Sequence, residues 1–364
     1  MTNPYRVLSI DGGGVRGLYS ACLLHGLAQR VARTTGQAAE SNLDVGKAFD
    51  MVVGTSTGAI LATALAAGRP LEEVIELYKS KAKEIFPSPT PSVSSRSKLM
   101  KWMWTYRKKA SGSASNLKKA LEEVLKSETV GEMFARRNIA LCIPTIDAET
   151  QKAWVYKTPH DQKHNRLQRD NNYELVDVCM SSASAPVVFP LHKVSDPNSA
   201  SENYNWFVDG GLWANNPVMV ALVEALSFAP KDVPIELISV STCPPFKAPP
   251  IGDENADRGI ADWKAGLGML EMGLDAQSSA YAYMAKALTD NMNDRIRYVR
   301  LSDPLVDENI SRELTLDNPS ITALDALVKL ASRAVDQNIS EATTGDQSKA
   351  LIMDVFSELP VVER

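Results

Sequence analysis

SIDGGGVRGL, residues Ser9 to Leu18, sets three consecutive glycines behind an aspartate and closes them with an arginine and a fourth glycine. Such a run leaves the main chain bare, so something must approach it more closely than a Cβ would allow. Two chemistries ask for this: a phosphate cradled by N–H groups ahead of a helix, and the oxyanion that develops during acyl transfer. The flanks predict a buried strand over Arg6–Ile10 and a helix from about Leu18 that fades near Gly36, which makes the glycines a strand-to-helix turn.

The same arrangement recurs. Phe49–Val53 reads as a second strand, and a helix from about Gly58 to Ala67 is stopped by Gly68 and Pro70. Between them lies GTSTG, Gly54–Gly58, a G-x-S-x-G centred on Ser56. At a strand-to-helix transition this pentapeptide becomes a nucleophile-elbow candidate, with Gly54 and Gly58 letting strand and helix approach and the helix N-terminus favouring an alkoxide on Ser56. By itself it also serves as an ordinary small-residue turn. Further strands are predicted at Ile139–Ile143, Trp154–Lys157, Trp206–Asp209, Ile235–Val240 and Ile296–Leu301. Helical patterns at Leu71–Ile85, Leu117–Lys126, Tyr173–Ser182, Pro217–Phe228 and Ile321–Val335 interleave with them, an alternation that favours a mainly parallel sheet covered on both faces. Loops are signalled from Phe86, Ser195 and Cys243.

FVDGGLWANNP brings Asp209 to the end of another predicted strand, followed by Gly210 and Gly211. Asp-Gly-Gly is often only a turn. Yet no histidine sits in a recognisable motif, so if Ser56 needs a base, a partly desolvated Asp209 with a raised pKa is the candidate.

Composition excludes other classes. The 364 residues carry a formal net charge of −5, which argues against a surface built for DNA or RNA polymers. Cys22, Cys142, Cys179 and Cys243 form no CxxC pair and read as buried thiols, while His25, His160, His164 and His192 show no ligand spacing; no metal and no cofactor is implied. The stretch Val7–Ile10 is too short for the apolar core of a signal peptide, and the uncharged run between Asp50 and Arg69 is too rich in Gly and Thr for a membrane span; cytoplasmic residence is expected. No break in composition divides the chain, so one domain over residues 1–364 is expected.

DGGGVRG, GTSTG and DGG, in this order, together with the Ser/Ala-rich block CMSSASAPVVFP (Cys179–Pro190), resemble the signature blocks of the patatin-like phospholipases. The resemblance implies a three-layer α/β/α fold with a mainly parallel central sheet. It implies a dyad of Ser56 as nucleophile and Asp209 as base, an oxyanion hole from Gly12, Gly13 and Gly14, and supporting roles for Asp11, Arg16, Gly17, Gly54, Gly58, Gly210 and Gly211. Membrane phospholipids become the expected substrates, cleaved peripherally at the inner membrane surface. Some bacterial members are antiphage effectors activated by a cyclic oligonucleotide, and the compact length and the run IPTIDAETQKAWVYKTP from Ile143 resemble those. A dinucleotide site is the competing reading, since Gly12, Gly14 and Gly17 satisfy G-x-G-x-x-G, but Glu40 and Asp44 do not fall at a clear strand end.

About residues 86–116 form a basic, aromatic insertion, a candidate lid or regulatory segment. Arg96, Lys98, Lys101, Trp102, Trp104, Tyr106, Arg107, Lys108 and Lys109 could meet a membrane, stack on a nucleotide messenger, or belong to a helix packed on the core with a solvated basic rim. Trp263–Leu288 has Met and Tyr at helical spacing and reads as core or as contact in a homo-oligomer rather than as an acyl groove. The alternatives in function are a nucleotide-sensing or lipid-binding module whose hydrolase motifs are structural, and a general soluble esterase.

Overall fold

The computed structural model describes residues 3–36, 42–91, 96–161, 167–199, 203–243, 252, 256–257, 259, 263, 267–292, 295–344 and 349–362. Glu40, Ser95, His164 and most of the loop predicted from Cys243 lie outside them, as do the side chains of Arg96 and Leu267.

Eight strands, β1 (Tyr5–Ile10), β2 (Met51–Gly54), β3 (Ala140–Asp147), β4 (Lys152–Lys157), β5 (His192–Ser195), β6 (Tyr204–Asp209), β7 (Ile235–Val240) and β8 (Ile296–Arg300), form one sheet. Its order is β5-β6-β3-β2-β1-β7-β8, with β4 also on β3. The run from β3 through β2, β1 and β7 to β8 is parallel, and β4, β6 and β5 add antiparallel pairs. β2 and β7 are buried along their whole length, and MVVG and IELISV read accordingly as near-continuous apolar runs.

Because side chains alternate along a strand, Leu8, Ile10, Val52 and Leu141 enter one core while Val7, Met51, Val53 and Cys142 enter another. The first core lies under α1 (Gly17–Thr34), α2 (Thr57–Ala66), α3 (Leu71–Ile85), α5 (Ala114–Leu125) and α7 (Leu175–Ala183), with α12 (Ile321–Thr343) and α13 (Ala350–Phe356) joining them. The second lies under α9 (Val218–Phe228), with Tyr281 and Ala285 of α10 (Leu267–Asp290) packed into it. Helices thus cover both faces, and the expected three-layer α/β architecture is present. Leu24 of α1 is fully buried, and truncating such a side chain to alanine costs about 2–5 kcal/mol.

Three differences from the sequence reading have physical causes. β5 is only four residues long, three of them polar, and exists as a hairpin partner of β6. α4 (Arg96–Tyr106) begins inside the stretch predicted as loop. α6 (Val130–Arg137) escaped periodicity because it spans only eight residues, yet it carries a capping box between Thr129 and Glu132.

Candidate active site

The elbow is built from its glycines outward. β2 ends at Gly54 and α2 begins at Thr57, so only Thr55 and Ser56 turn the chain. A Cβ on Gly54 or Gly58 would fall onto neighbouring backbone, of Gly58 and of Ile10 and Asp11 respectively. Ser56 itself is held at φ 56° and ψ −120°, a conformation that costs a non-glycine residue about 1–3 kcal/mol. Two hydroxyls hold it there. Ser182 accepts from the Ser56 N–H at 2.9 Å while donating to the Pro144 carbonyl at 2.6 Å, and Thr55 donates to the Ala214 carbonyl at 2.6 Å.

Asp209 arrives from the opposite direction. Val53 of β2 lies opposite Cys142 and Asp209 of β6 lies opposite Thr145, while β4 pairs with both Cys142 and Thr145 across the other edge of β3. β2 and β6 therefore share one edge of β3. β2 is parallel to β3 and β6 antiparallel, so their C-terminal ends face each other.

Ser56 Oγ donates to Asp209 Oδ2 at 2.8 Å, and Oδ1 accepts from the Gly211 N–H at 2.6 Å. The backbone on either side is fixed by the Ser/Ala-rich block: Asp209 N–H donates to the Ser184 carbonyl at 3.1 Å and Gly210 N–H to the Ser182 carbonyl at 3.3 Å. Burial pushes the Asp209 carboxyl up to about 6, against the downward pull of the bonds from Gly211 and Ser56. A carboxylate so placed is a stronger base than an exposed one.

The glycine loop lies beside the serine, and the structure corrects one of its expected roles. Gly12 N–H already donates to the Asn215 carbonyl at 2.8 Å, so Gly12 serves to pack the loop against Ser56 rather than as an oxyanion donor. Gly13 and Gly14 line the cleft, and no acceptor for either N–H is found among the described residues. The Gly13 carbonyl accepts from the Arg16 N–H at 3.1 Å and from Arg16 Nε at 3.4 Å. In a trans peptide the N–H opposes the carbonyl, so Arg16 turns the Gly14 N–H away from itself. Gly14 adopts φ 58°, with the Leu316 carbonyl where a Cβ would stand. Gly17 opens α1 against the Thr57 and Tyr78 side chains.

Asp11 is buried beneath this loop. Arg300, at the end of β8, clamps it with contacts of 2.5 and 3.2 Å and also donates to Ser239 Oγ at 2.7 Å. Desolvation raises the Asp11 pKa and the Arg300 guanidinium pulls it back. Nothing in the sequence singled out Arg300, which lies 289 positions from its partner and belongs to no motif. Ser182 was visible only as part of a block.

A cleft of about 1120 Å³, counting its open mouth, runs from the dyad. Its walls include Ile60, Leu77, Ile85, Phe86, Phe189 and Leu316, an apolar lining with Ser56, Asp209, Gly13 and Gly14 at one point. Leu270, Glu271 and Leu274 of α10 also line it, so this helix, expected as core or oligomer contact, also borders the cleft. On the same helix Met269 and Met272 are exposed.

The basic, aromatic segment divides by side. Trp102 is buried and donates from its indole N–H to the Ser88 carbonyl at 3.1 Å, and Tyr106 O–H donates to Ser88 Oγ at 2.6 Å. These two face inward, matching the packed-helix alternative rather than a membrane or nucleotide contact: both bond Ser88, in the segment that runs on from Phe86 into the cleft wall at Thr90. Trp104 is 69 % exposed and Met100 63 %, among exposed Lys98, Lys101, Lys108 and Lys109, with the Arg107 guanidinium 4.2 Å over the Trp104 ring. No helix among the described residues is long and apolar enough to cross a membrane.

A serine on a tight elbow, a carboxylate at its oxygen and bare amides over an apolar cleft define a serine hydrolase of the acyl-transfer class. Residues 8–222 match the family described as patatin-like phospholipase, and the chain belongs to that family. It is similar to a cGAMP-activated phospholipase of Pseudomonas aeruginosa, 30 % identical over 325 residues that cover 89 % of this chain and 85 % of the relative. A cGAMP-activated phospholipase of Vibrio cholerae is 30 % identical over 353 residues, 92 % of this chain and 90 % of that one. Patatin-like protein 2 of Arabidopsis thaliana is 30 % identical over 231 residues, 61 % and 53 % of the two chains.

Proposed function

We propose that the protein cleaves fatty-acyl esters of membrane glycerophospholipids through an acyl-enzyme on Ser56, with Asp209 as the base. The observation that carries this reading is the 2.8 Å bond from Ser56 Oγ to Asp209 Oδ2 beside the bare Gly13 and Gly14 amides. Asp209 takes the serine proton as Oγ attacks the ester carbonyl, and the Gly13 and Gly14 N–H groups receive the oxyanion. Collapse of the tetrahedral intermediate breaks the ester bond, and Asp209 returns its proton to the departing alkoxide. A water then gives its proton to Asp209 and attacks the acyl-enzyme, and the fatty acid leaves as Ser56 is reprotonated.

The fatty-acyl chain lies along the apolar walls of the cleft. The whole chain acts as one domain, and residues 86–116 form its lid. Trp104 and Met100 enter the bilayer interface while Lys98, Lys101, Arg107, Lys108 and Lys109 meet anionic headgroups, which brings the mouth to the inner membrane surface. A cyclic oligonucleotide switches the enzyme on, as the names of the two bacterial relatives say of those proteins.

The test is lipid mass spectrometry on phosphatidylethanolamine/phosphatidylglycerol vesicles incubated with the purified chain, with and without cGAMP. Free fatty acid and lysophospholipid that rise with cGAMP and vanish in Ser56→Ala support the reading. Hydrolysis of soluble esters alone makes the protein a general esterase, and absence of fluorophosphonate labelling under both conditions makes it a binding module.

A further inference from the structure

No spacing in the sequence points to a metal site, yet the fold gathers one set of donors on the α9 side of the sheet. Cys142 comes from β3, His160 from just beyond β4, and Glu224 from α9. Their thiol sulfur, imidazole nitrogen and carboxylate oxygen lie within 4.8 Å of one another. Cys142 is fully buried, and the His160 and Glu224 side chains are 5 % and 9 % exposed. His160 Nε2 stands 3.5 Å from Glu224 Oε2, and among the described residues neither atom has any other partner at hydrogen-bond distance.

The surroundings fix how these groups point. Lys157 Nζ holds the other oxygen of Glu224, Oε1, and leaves Oε2 facing the imidazole. The His160 and Phe228 rings pack nearly perpendicular to each other with centroids 4.8 Å apart. His160 Nδ1 lies 2.9 Å from Thr158 Oγ1, a hydroxyl that already accepts from the Leu141 N–H at 2.9 Å and has the Leu141 carbonyl at 3.5 Å as an acceptor for its own hydrogen. With Nδ1–H donating to Thr158, Nε2 presents a lone pair to a carboxylate oxygen and a sulfur, and three electron-pair donors meet where water cannot separate them. Fixing the outer nitrogen of a histidine in this way is what a second shell does for a metal ligand.

We propose that Cys142, His160 and Glu224 bind one zinc ion through the thiolate, the imidazole Nε2 and the carboxylate Oε2. Thiolate, imidazole and carboxylate are the donors zinc takes, and bonds of about 2.0–2.3 Å place tetrahedral donors about 3.3–3.6 Å apart. The His160–Glu224 separation already meets that spacing, and the thiol closes the rest by a side-chain movement of about 1 Å. On loading, the zinc–sulfur bond replaces the Cys142 S–H bond and the proton passes to solvent. The ion clasps β3 and the exit of β4 to α9. β3 is the strand on which Asp209 is registered, so the clasp braces the wall behind the carboxylate without entering the reaction.

The test is metal analysis of the full, untagged chain after passage over a chelating resin, followed by cobalt(II) substitution. One zinc per chain and a near-ultraviolet thiolate-to-cobalt band are expected, both lost in Cys142→Ser and both kept in Cys179→Ala. Should Cys142→Ser fail to fold, Glu224→Gln, which keeps a partner for Lys157, must lower zinc affinity about tenfold or more in competition with a chromophoric chelator. A wild-type chain without stoichiometric zinc that takes up no cobalt overturns the proposal. Metal content or a cobalt spectrum indifferent to Cys142→Ser, or affinity unchanged in Glu224→Gln, overturns it as well.

Discussion

Ser56 and Asp209 meet because the strands that deliver them run toward each other along a single edge of β3, Val53 registered on Cys142 and Asp209 on Thr145. The three-position gap between those registers, about 10 Å at strand rise, is the space that the elbow fills. No loop has to close for the two side chains to reach hydrogen-bond distance.

If the pair works as one unit, Ser56→Ala and Asp209→Asn each lower fatty-acid release by about 10³-fold or more, and the double variant is no worse than the single ones. Fluorophosphonate labelling disappears in Ser56→Ala. Losses that multiply in the double variant would assign the two residues independent roles.

The pH profile follows from the Asp209 carboxyl, raised to about 6 by burial. Only its ionised form accepts a proton, so kcat/KM on a soluble ester rises about tenfold per pH unit below that value and levels off above it. A profile flat from pH 5 to 8 would remove Asp209 as the base.

Stability runs in the opposite sense. A carboxyl whose pKa is higher folded than unfolded contributes stability that is complete below the unfolded value and is lost as the pH rises through about 6. Relative to the ordinary aspartate value of 3.8 the loss is about 3 kcal/mol at pH 8. Asp209→Asn is therefore expected to melt higher than the parent at pH 8, with the advantage vanishing below pH 4. Thermal denaturation at both values reads this directly.

Gly14→Ala places a Cβ against the Leu316 carbonyl at a positive φ. The expected result is a loss of about 1–3 kcal/mol in stability and, with the Gly14 amide as the proposed oxyanion donor, of about 10²-fold or more in kcat with KM little changed. A KM effect alone would make the loop a substrate-binding element.

Arg300→Met strands the buried Asp11 carboxylate. About 3 kcal/mol of stability should be lost in denaturant unfolding, and Asp11→Asn added to Arg300→Met should recover part of it. Additive losses would mean that the two do not act as a pair.

What the sequence made legible is local. The elbow, the strand-end aspartate and the glycine turn each announce themselves within a few residues, because tight turns demand particular residue types. The alternation of apolar runs likewise gave the covered parallel sheet. Contacts across the chain stayed hidden. That Gly12 bonds Asn215, that Arg300 reaches Asp11 and that Cys142, His160 and Glu224 converge depends on register and packing, which leave no short-range signal. The passage of α10 over the cleft was missed, and the inward turn of Trp102 stayed one of three open readings, for a related reason. One helical face looks the same in sequence whether it meets core, cavity or solvent.

The walls of the cleft come from two lengths of chain. Ser56, Asp209 and the glycine loop all fall within residues 8–222, the span shared with the family, whereas Leu270, Leu274 and Leu316 are drawn from beyond it. The later segment also holds the reaction's frame, since the Leu316 carbonyl packs on Gly14 and Arg300 clamps Asp11, so exchanging it between relatives is expected to disturb the glycine turn as well as reshape the walls.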